Sequence, residues 1–165
     1  MSKQMKHQYS LFGEAVEQTN LVYVMGLASL DGLHKIGRTD RDPRKRRDQL
    51  GFSRVAFILP VASPDLCGLV EQTAHAICIQ RQLWIPNGIF GSSREIFQIS
   101  EEAAIDVVRT ANSRVMSLIA SDPSLLLEKN RARKILGLQG MYSADVYAQG
   151  NLFPSSTRTR TEVRS

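Results

Sequence analysis

A dense run of lysine and arginine, HKIGRTDRDPRKRRDQL at residues 34–50, contains the residue types that point most directly to chemistry. Seven of the 21 lysines and arginines lie within residues 34–47, where Asp40 and Asp42 are the only acidic residues. This stretch therefore carries the same +5 charge as the whole chain. A positive field concentrated in one element indicates a polyanionic partner such as a nucleic acid, although a solvated charged helix face has the same composition.

Lys35 and Arg46 differ from the other basic residues in the direction that their side chains are expected to take. Lys35 lies in the middle of a predicted strand, so its ammonium group either reaches solvent or meets an anion. Arg46 lies one helical turn before Leu50 and shares the side that Leu50 is expected to turn toward the sheet. Because an unpaired buried guanidinium is costly, Arg46 is predicted to meet a carboxylate, Glu71 or Glu95, or a phosphate.

Hydrophobic periodicity and turn residues predict the elements that position these side chains. Two β-rich segments separated by a glycine-containing turn predict a hairpin, and Asp42-Pro43 begins the basic helix, which Gly51 ends. The order of strands and helices predicts an α/β or α+β fold, with a small three-stranded sheet, mixed or antiparallel, flanked by helices. The strand candidates are residues 21–26, 33–38, 54–60 and the extended 94–100, and later helices begin near 63, 100 and 121.

The chain divides into four predicted parts. Residues 1–19 are a polar N-terminal segment, and residues 20–100 form the compact domain. Residues 101–137 form a C-terminal helical extension, which would serve substrate recognition, a homo-oligomer or a protein partner. Residues 138–165 lose periodicity and are predicted to be a disordered basic tail.

The bulk composition excludes several classes of protein. The 165 residues amount to one domain, and no apolar run approaches the roughly 20 residues that cross a bilayer. No hydrophobic signal segment is visible at the N-terminus. Cys67 and Cys78 lie about 16 Å apart if their segment is helical, which is too far for a disulfide. These features predict a cytoplasmic protein with no membrane partner.

Five short blocks, taken in order, resemble the GIY-YIG nuclease superfamily, and specifically its phage-T5-type branch, in which the second motif begins with lysine. The blocks are LVYVM, KIGRT, DPRKRRDQL, VEQTAH and REIF, all within residues 20–100. The most specific part is KIGRT, with Arg46 following eleven residues after Lys35. The first block departs from the family pattern, because Leu21 and Val22 replace its glycine and isoleucine.

This resemblance implies roles for individual residues. Tyr23, Lys35 and Arg46 would be catalytic, with Arg46 on the scissile phosphate. Glu95 would be the single carboxylate that holds one divalent metal ion, Mg²⁺ or Mn²⁺. Asn112 is the residue considered as the counterpart of a family asparagine. Four further residues are secondary candidates, namely His34, Gly37, Glu71 and His75.

Together these roles describe a metal-dependent endonuclease that hydrolyses phosphodiester bonds in DNA. Tyr23 would be the general base, and a nearby Lys35 ammonium would lower its pKa from the usual value of about 10. Arg46 would bind the non-bridging oxygens in a bidentate fork, while the metal ion polarises the phosphate. The remaining basic residues would hold the nucleic-acid backbone without reading sequence, namely Arg38, Arg41, Arg44, Lys45 and Arg47.

Two other functions fit the same sequence. The chain would be a non-catalytic nucleic-acid-binding module that retains the scaffold, or a protein–protein regulator that docks through the helices after Ser100. Tyr23 would then be a packed core tyrosine, and Glu95 would form a surface pair with Arg94. His75 would be an ordinary helix residue, and Trp84 would pack within its loop.

Overall fold

The fold was analysed in a computed structural model that describes residues 8–9, 15–16, 20–27, 30–81, 83 and 95–141. Two short antiparallel strands, β1 (Gln8–Tyr9) and β2 (Ala15–Val16), lie in the N-terminal part. The rest of the predicted segment 1–19, together with Trp84, Arg94 and nearly all of the predicted tail, lies outside the described residues.

A four-stranded antiparallel sheet forms the centre of the domain. Its strands are β3 (Asn20–Leu27), β4 (Leu30–Thr39), β5 (Arg54–Val61) and β6 (Ile96–Gln98), in the order β5-β3-β4-β6. The predicted α+β fold and the β3–β4 hairpin are confirmed. The sheet has one strand more than the three expected, because residues 96–98 pair with β4, with Ile96 opposite Lys35.

Four helices surround this sheet, namely α1 (Pro43–Leu50), α2 (Pro64–Gln80), α3 (Glu101–Ser121) and α4 (Lys129–Ile135). The single helix predicted between residues 121 and 137 is wrong. Asp122 accepts hydrogen bonds from the backbone N–H and the hydroxyl of Ser124, which favours a 3-10 turn at Pro123–Leu126 before α4 begins. None of the helices in the described part combines the length and hydrophobicity that a membrane span needs.

The two faces of the sheet have different roles. Helix α2 is apolar on nearly all sides, and it is buried in one core with α3 and the helix-facing side chains of the sheet, which include Val22, Val24 and Ile36. Because side chains alternate along a strand, their neighbours lie on the opposite face. That face carries Tyr23, Met25, Lys35 and Gly37.

Candidate active site

Tyr23 and Gly37 lie directly opposite each other on β3 and β4. The tyrosine is 1% exposed, and its ring crosses the strand so closely that a Cβ on residue 37 would lie 2.6 Å from the hydroxyl oxygen. Any side chain at position 37 would therefore displace the ring. Glycine is required here for the close approach of the Tyr23 ring.

The guanidinium of Arg46, from α1, acts on the Tyr23 hydroxyl and lowers its pKa. Asp42 caps α1 by accepting from the Arg44 N–H at 2.9 Å, and Gly51 ends it in the left-handed region at φ 73°. Arg46 itself is exposed, and Leu50 is 37% exposed. The prediction that Leu50 turns α1 into the sheet is therefore wrong. Pro43 is the residue of α1 that is buried, so Arg46 approaches Tyr23 from an open surface.

The environment of the Tyr23 hydroxyl differs from the expected one. Burial raises the pKa of Tyr23 to about 12, and although the Arg46 guanidinium lowers this pKa, the Glu95 and Glu71 carboxylates raise it. The cation that acts on the hydroxyl is Arg46, which corrects the prediction that Lys35 lowers this pKa. Tyr23 is therefore a neutral phenol at neutral pH in the protein alone.

Lys35 forms an ion pair with Glu95. Of the two alternatives predicted for this lysine in the middle of a strand, its ammonium group therefore meets an anion and does not reach solvent. Lys35 is 5% exposed, whereas 43% of the Glu95 side chain is exposed. The Ile36 N–H donates to the Glu95 carbonyl at 3.0 Å and so fixes this residue beside β4. Because Lys35 is desolvated, removal of the carboxylate would leave a buried charge without its partner.

A second ion pair joins Arg38 to Glu71, whose atoms Nε and Oε2 are 3.0 Å apart. Burial raises the pKa of Glu71 to about 7, although Arg38 lowers it. The guanidinium lies against Gly68 of α2, where a Cβ would be 2.8 Å from Nη1. Glu71 and Glu95 were the carboxylates predicted as possible partners of Arg46. In the structure Glu71 pairs with Arg38, and Glu95 pairs with Lys35. Arg38 is thus held by α2 rather than lying on a simple solvated face.

The two candidate histidines are both buried, but they have different partners. The Nε2–H of His75 donates to the Ile36 carbonyl at 2.8 Å, and its ring packs against Phe97 with centroids 5.3 Å apart. Burial lowers the pKa of His75 to about 4, so this side chain is neutral and connects α2 to the sheet.

His34 lies in the middle of β4, where its side chain faces the start of α3. Its Nδ1–H donates to the Ile99 carbonyl at 2.7 Å, while its Nε2 lacks a hydrogen bond within the described part of the chain. Glu101 lies 3.8 Å from that atom, and its bond from Arg54 lowers the pKa of this carboxyl. Strand alternation places His34 on the face opposite to Lys35 and Tyr23.

The other basic residues follow the surface of α1 and the turn before it. Lys45 is exposed, and Arg47 forms a pair with Asp48 at 2.6 Å. Arg41 lies 3.9 Å from Asp40, and Arg44 is exposed. Such surface pairs contribute little to stability and leave the cations able to meet a polyanion. Asn112, in α3, is half-buried and takes part in none of the hydrogen bonds described above.

The donor set around Glu95 fits a hydrated hard cation better than a metal caged by protein. Nowhere in the described ranges do three or more His, Cys, Asp or Glu side chains converge in a way that would hold a metal ion. Mg²⁺ usually keeps several waters and takes only one or two carboxylates from a protein. The half-exposed Glu95 carboxylate, which faces Lys35 through Oε2, meets that requirement.

One signal in the sequence for this site went unused. Gly68 lies in the interior of α2, where glycine costs about 1 kcal/mol relative to alanine. Such a glycine indicates that another group approaches the helix closely, and in this structure that group is Arg38. Gly68 therefore pointed to a close approach on α2, whereas the identity of Arg38 as the approaching group depends on the tertiary structure.

The fold and this face define an α+β domain in which a buried tyrosine, a buried lysine and a helical arginine lie close to two carboxylates. A family model described as T5orf172 domain matches residues 20–112, which is more than half of the chain. The chain belongs to the T5orf172 domain family, a phage-T5-like domain of a nuclease-associated class. No curated protein and no solved structure gave a match.

Proposed function

We propose that this chain is a GIY-YIG-type endonuclease that hydrolyses phosphodiester bonds in DNA with the help of one divalent ion, Mg²⁺ or Mn²⁺. The observation that carries the proposal is the sheet face on which Tyr23 lies with the Lys35–Glu95 pair, close enough to Arg46 for the guanidinium to lower the pKa of the Tyr23 hydroxyl. An exposed guanidinium close to a buried hydroxyl gives one anion-binding group and one proton-accepting group in the same place. Phosphodiester hydrolysis requires both.

Arg46 binds the scissile phosphate in this proposal. Its planar guanidinium offers two parallel N–H groups to the non-bridging oxygens, a geometry that lysine does not match. Because the residue is exposed, the phosphate reaches it without any rearrangement of the core. Arg46 stays in contact with Tyr23 and so sets the position of the attacking water relative to the phosphorus.

The phenolate form of Tyr23, produced when the phenol loses its proton to solvent, takes the proton of that water. The water oxygen forms a bond to phosphorus, the bond from phosphorus to the leaving sugar oxygen breaks, and this oxygen gains a proton from solvent. A phenol with a pKa of about 12 is rarely ionised at neutral pH, so the cleavage rate should rise with pH through the neutral range. A pH–rate profile measures this rise, which Tyr23→Phe should abolish.

Glu95 holds the divalent ion, and Lys35 orients its carboxylate. A bound Mg²⁺ supplies Lewis-acid polarisation of the phosphoryl group and stabilises the leaving oxygen. Lys35 keeps Glu95 at the edge of β4 and adds a positive charge near the polyanion. The basic residues of α1 and its preceding turn hold the DNA backbone around this centre. The reduced state expected for Cys67 and Cys78 fits a cytoplasmic enzyme.

A non-catalytic nucleic-acid-binding module is the second candidate. Two observations favour it. The Glu95 carboxylate is already paired with Lys35, and the high pKa of Tyr23 keeps its hydroxyl protonated, so neither side chain needs a catalytic role to account for its position. This module would bind DNA through the same basic surface in a salt-dependent way, and chelators would have no effect on it. Binding alone therefore does not separate the two candidates, whereas cleavage does.

Two neighbouring variants of α1 test the proposal with supercoiled plasmid and Mg²⁺. Arg46→Gln should lower the cleavage rate at saturating plasmid by about a hundredfold or more, the typical cost of losing one electrostatic contact to a reacting group. Lys45→Gln removes the same charge from an exposed neighbour and should change mainly the salt dependence of binding. Intact plasmid with the wild-type protein, or equal rates for the two variants, would contradict the catalytic role of Arg46.

A further inference from the structure

A polar pocket of about 220 Å³ lies between the end of β4, the first turns of α2 and helix α4. This space is large enough for a phosphate group with part of its hydration. Its basic lining residues are Arg38, Lys129 and Arg133. The site around Tyr23 contributes only Arg38 to this pocket.

The charges around the pocket are not balanced. Lys129 faces Asp65 at 2.7 Å, and Arg38 faces Glu71 at 3.0 Å. Arg133 is half-buried in the wall and has no acidic partner within the part of the chain that the structure describes. A partly buried arginine in the wall of an open pocket favours an anion there, because this removes the cost of leaving the charge unpaired.

Arg38 is oriented toward the same space by two contacts. Glu71 takes its Nε, and Gly68 allows the guanidinium to lie flat against α2. A guanidinium has five N–H groups, so the contact with Glu71 leaves donors for a ligand in the pocket. Arg38 also follows Gly37 directly along β4, which connects the pocket to the strand position that supports Tyr23.

Helix α4 lies beyond the part of the chain that the family model matches. The match ends at residue 112, whereas Lys129 and Arg133 belong to Lys129–Ile135. The pocket is therefore formed where the C-terminal extension meets the family domain. This position gives the extension a role in binding that the family domain alone does not provide.

We propose that this pocket binds a backbone phosphate of the nucleic acid, and that Arg133 supplies the charge that holds it. The proposal rests on the proposed function in that it extends the same DNA path from Arg46 across Arg38 to α4. This contact would not read the base sequence, because Arg133 and Arg38 would bind phosphate oxygens and not the edges of bases.

The test measures the binding of a fluorescently labelled DNA duplex by anisotropy in EDTA, which prevents cleavage, between about 50 and 200 mM salt. Arg133→Gln should weaken binding severalfold and reduce the slope of log K against log salt by about one, the value for one lost phosphate contact. Arg133→Lys should restore most of the slope. Lys134→Gln is the matched control, because it removes the same charge from an exposed neighbour that does not line the pocket.

Equal losses in Arg133→Gln and Lys134→Gln would overturn the proposal, because the effect would then be one of overall charge. Equal displacement of the duplex by inorganic phosphate at constant ionic strength from the wild type and from Arg133→Gln would also overturn it, since phosphate would then compete with the duplex somewhere other than at Arg133. Failure of the proposed function has a different signature. The wild-type protein would then bind the duplex with the expected effect of Arg133→Gln, yet leave plasmid intact in Mg²⁺.

Discussion

At the scale of single residues, the Tyr23 hydroxyl lies in the space that a side chain on residue 37 would occupy. The ring of Tyr23 passes over Gly37 so closely that the glycine sets the position of the hydroxyl. That position in turn allows the contact with Arg46 from the other side. The position of the Tyr23 hydroxyl thus depends on a residue that has no side chain.

The first prediction concerns this pair. Gly37→Ala should destabilise the fold by about 1–3 kcal/mol, the usual cost of overpacking, and should lower cleavage because the hydroxyl moves away from Arg46. The cost should shrink when Tyr23→Ala empties the space, so the two substitutions are coupled. Denaturant unfolding of the two single variants and the double variant measures this coupling. Additive costs would show that Tyr23 is not what Gly37 accommodates.

At the scale of elements, α1 presents Arg46 with little support from the core. The helix has eight residues, of which Pro43 is the buried one, and its ends are fixed by the Asp42 cap and by Gly51. A helix this short is marginal in isolation. The cap therefore contributes to the position of Arg46 as well as to the stability of the helix.

The second prediction tests the cap. Asp42→Ala should cost about 1 kcal/mol and should reduce cleavage by misplacing Arg46, since the acceptor for the Arg44 N–H is lost. Asp42→Asn keeps an acceptor of the same length and should behave like the wild type in both assays. Thermal unfolding and plasmid cleavage of the pair provide the measurement. A loss of cleavage in Asp42→Asn as large as in Asp42→Ala would mean that the charge of Asp42 matters rather than its cap.

Helix α2 carries two titratable groups, one turn apart, whose effects on stability have opposite signs. The pKa of Glu71 is raised to about 7, so the stability it contributes is complete below pH 4.5 and is lost as the pH rises through 7. The pKa of His75 is lowered to about 4, so its contribution is complete above pH 6.5 and is lost as the pH falls through 4. Between about pH 4.5 and 6.5 the two slopes largely cancel.

The third prediction follows from this cancellation. Glu71→Gln removes one slope, so the stability of the variant relative to the wild type should increase as the pH rises from about 4.5 to 7, by at most about 3 kcal/mol. Urea unfolding at several pH values measures the difference between the two curves. Parallel curves would contradict the raised pKa of Glu71. The subtraction of the wild type removes the contributions of the other carboxylates.

At the scale of the whole molecule, the sequence was most informative where a local rule decides the structure. The Asp42-Pro43 start and the Gly51 end of α1 were predicted, as was the β3–β4 hairpin. These features depend on capping and on strand period, both of which are local.

Partner choice among the charged residues was not predictable in the same way. Arg46 was expected to be buried by Leu50, whereas Leu50 is exposed and Arg46 reaches Tyr23 from the surface. Lys35 and Glu95, sixty residues apart, meet only because β6 pairs with β4. The packing of α4 beside α2, which creates the pocket at Arg133, likewise depends on tertiary contacts.

The central claim is that this domain cleaves DNA at the Tyr23–Arg46 site with a divalent ion held by Glu95. The most direct test is single-turnover cleavage of a labelled DNA duplex by the wild-type protein and by Glu95→Gln, each with Mg²⁺ and with EDTA. We expect strand cleavage by the wild type in Mg²⁺ alone and a loss of about a hundredfold or more in Glu95→Gln, while both proteins retain duplex binding in EDTA. Cleavage that persists in EDTA, or equal rates for the two proteins in Mg²⁺, would contradict the claim.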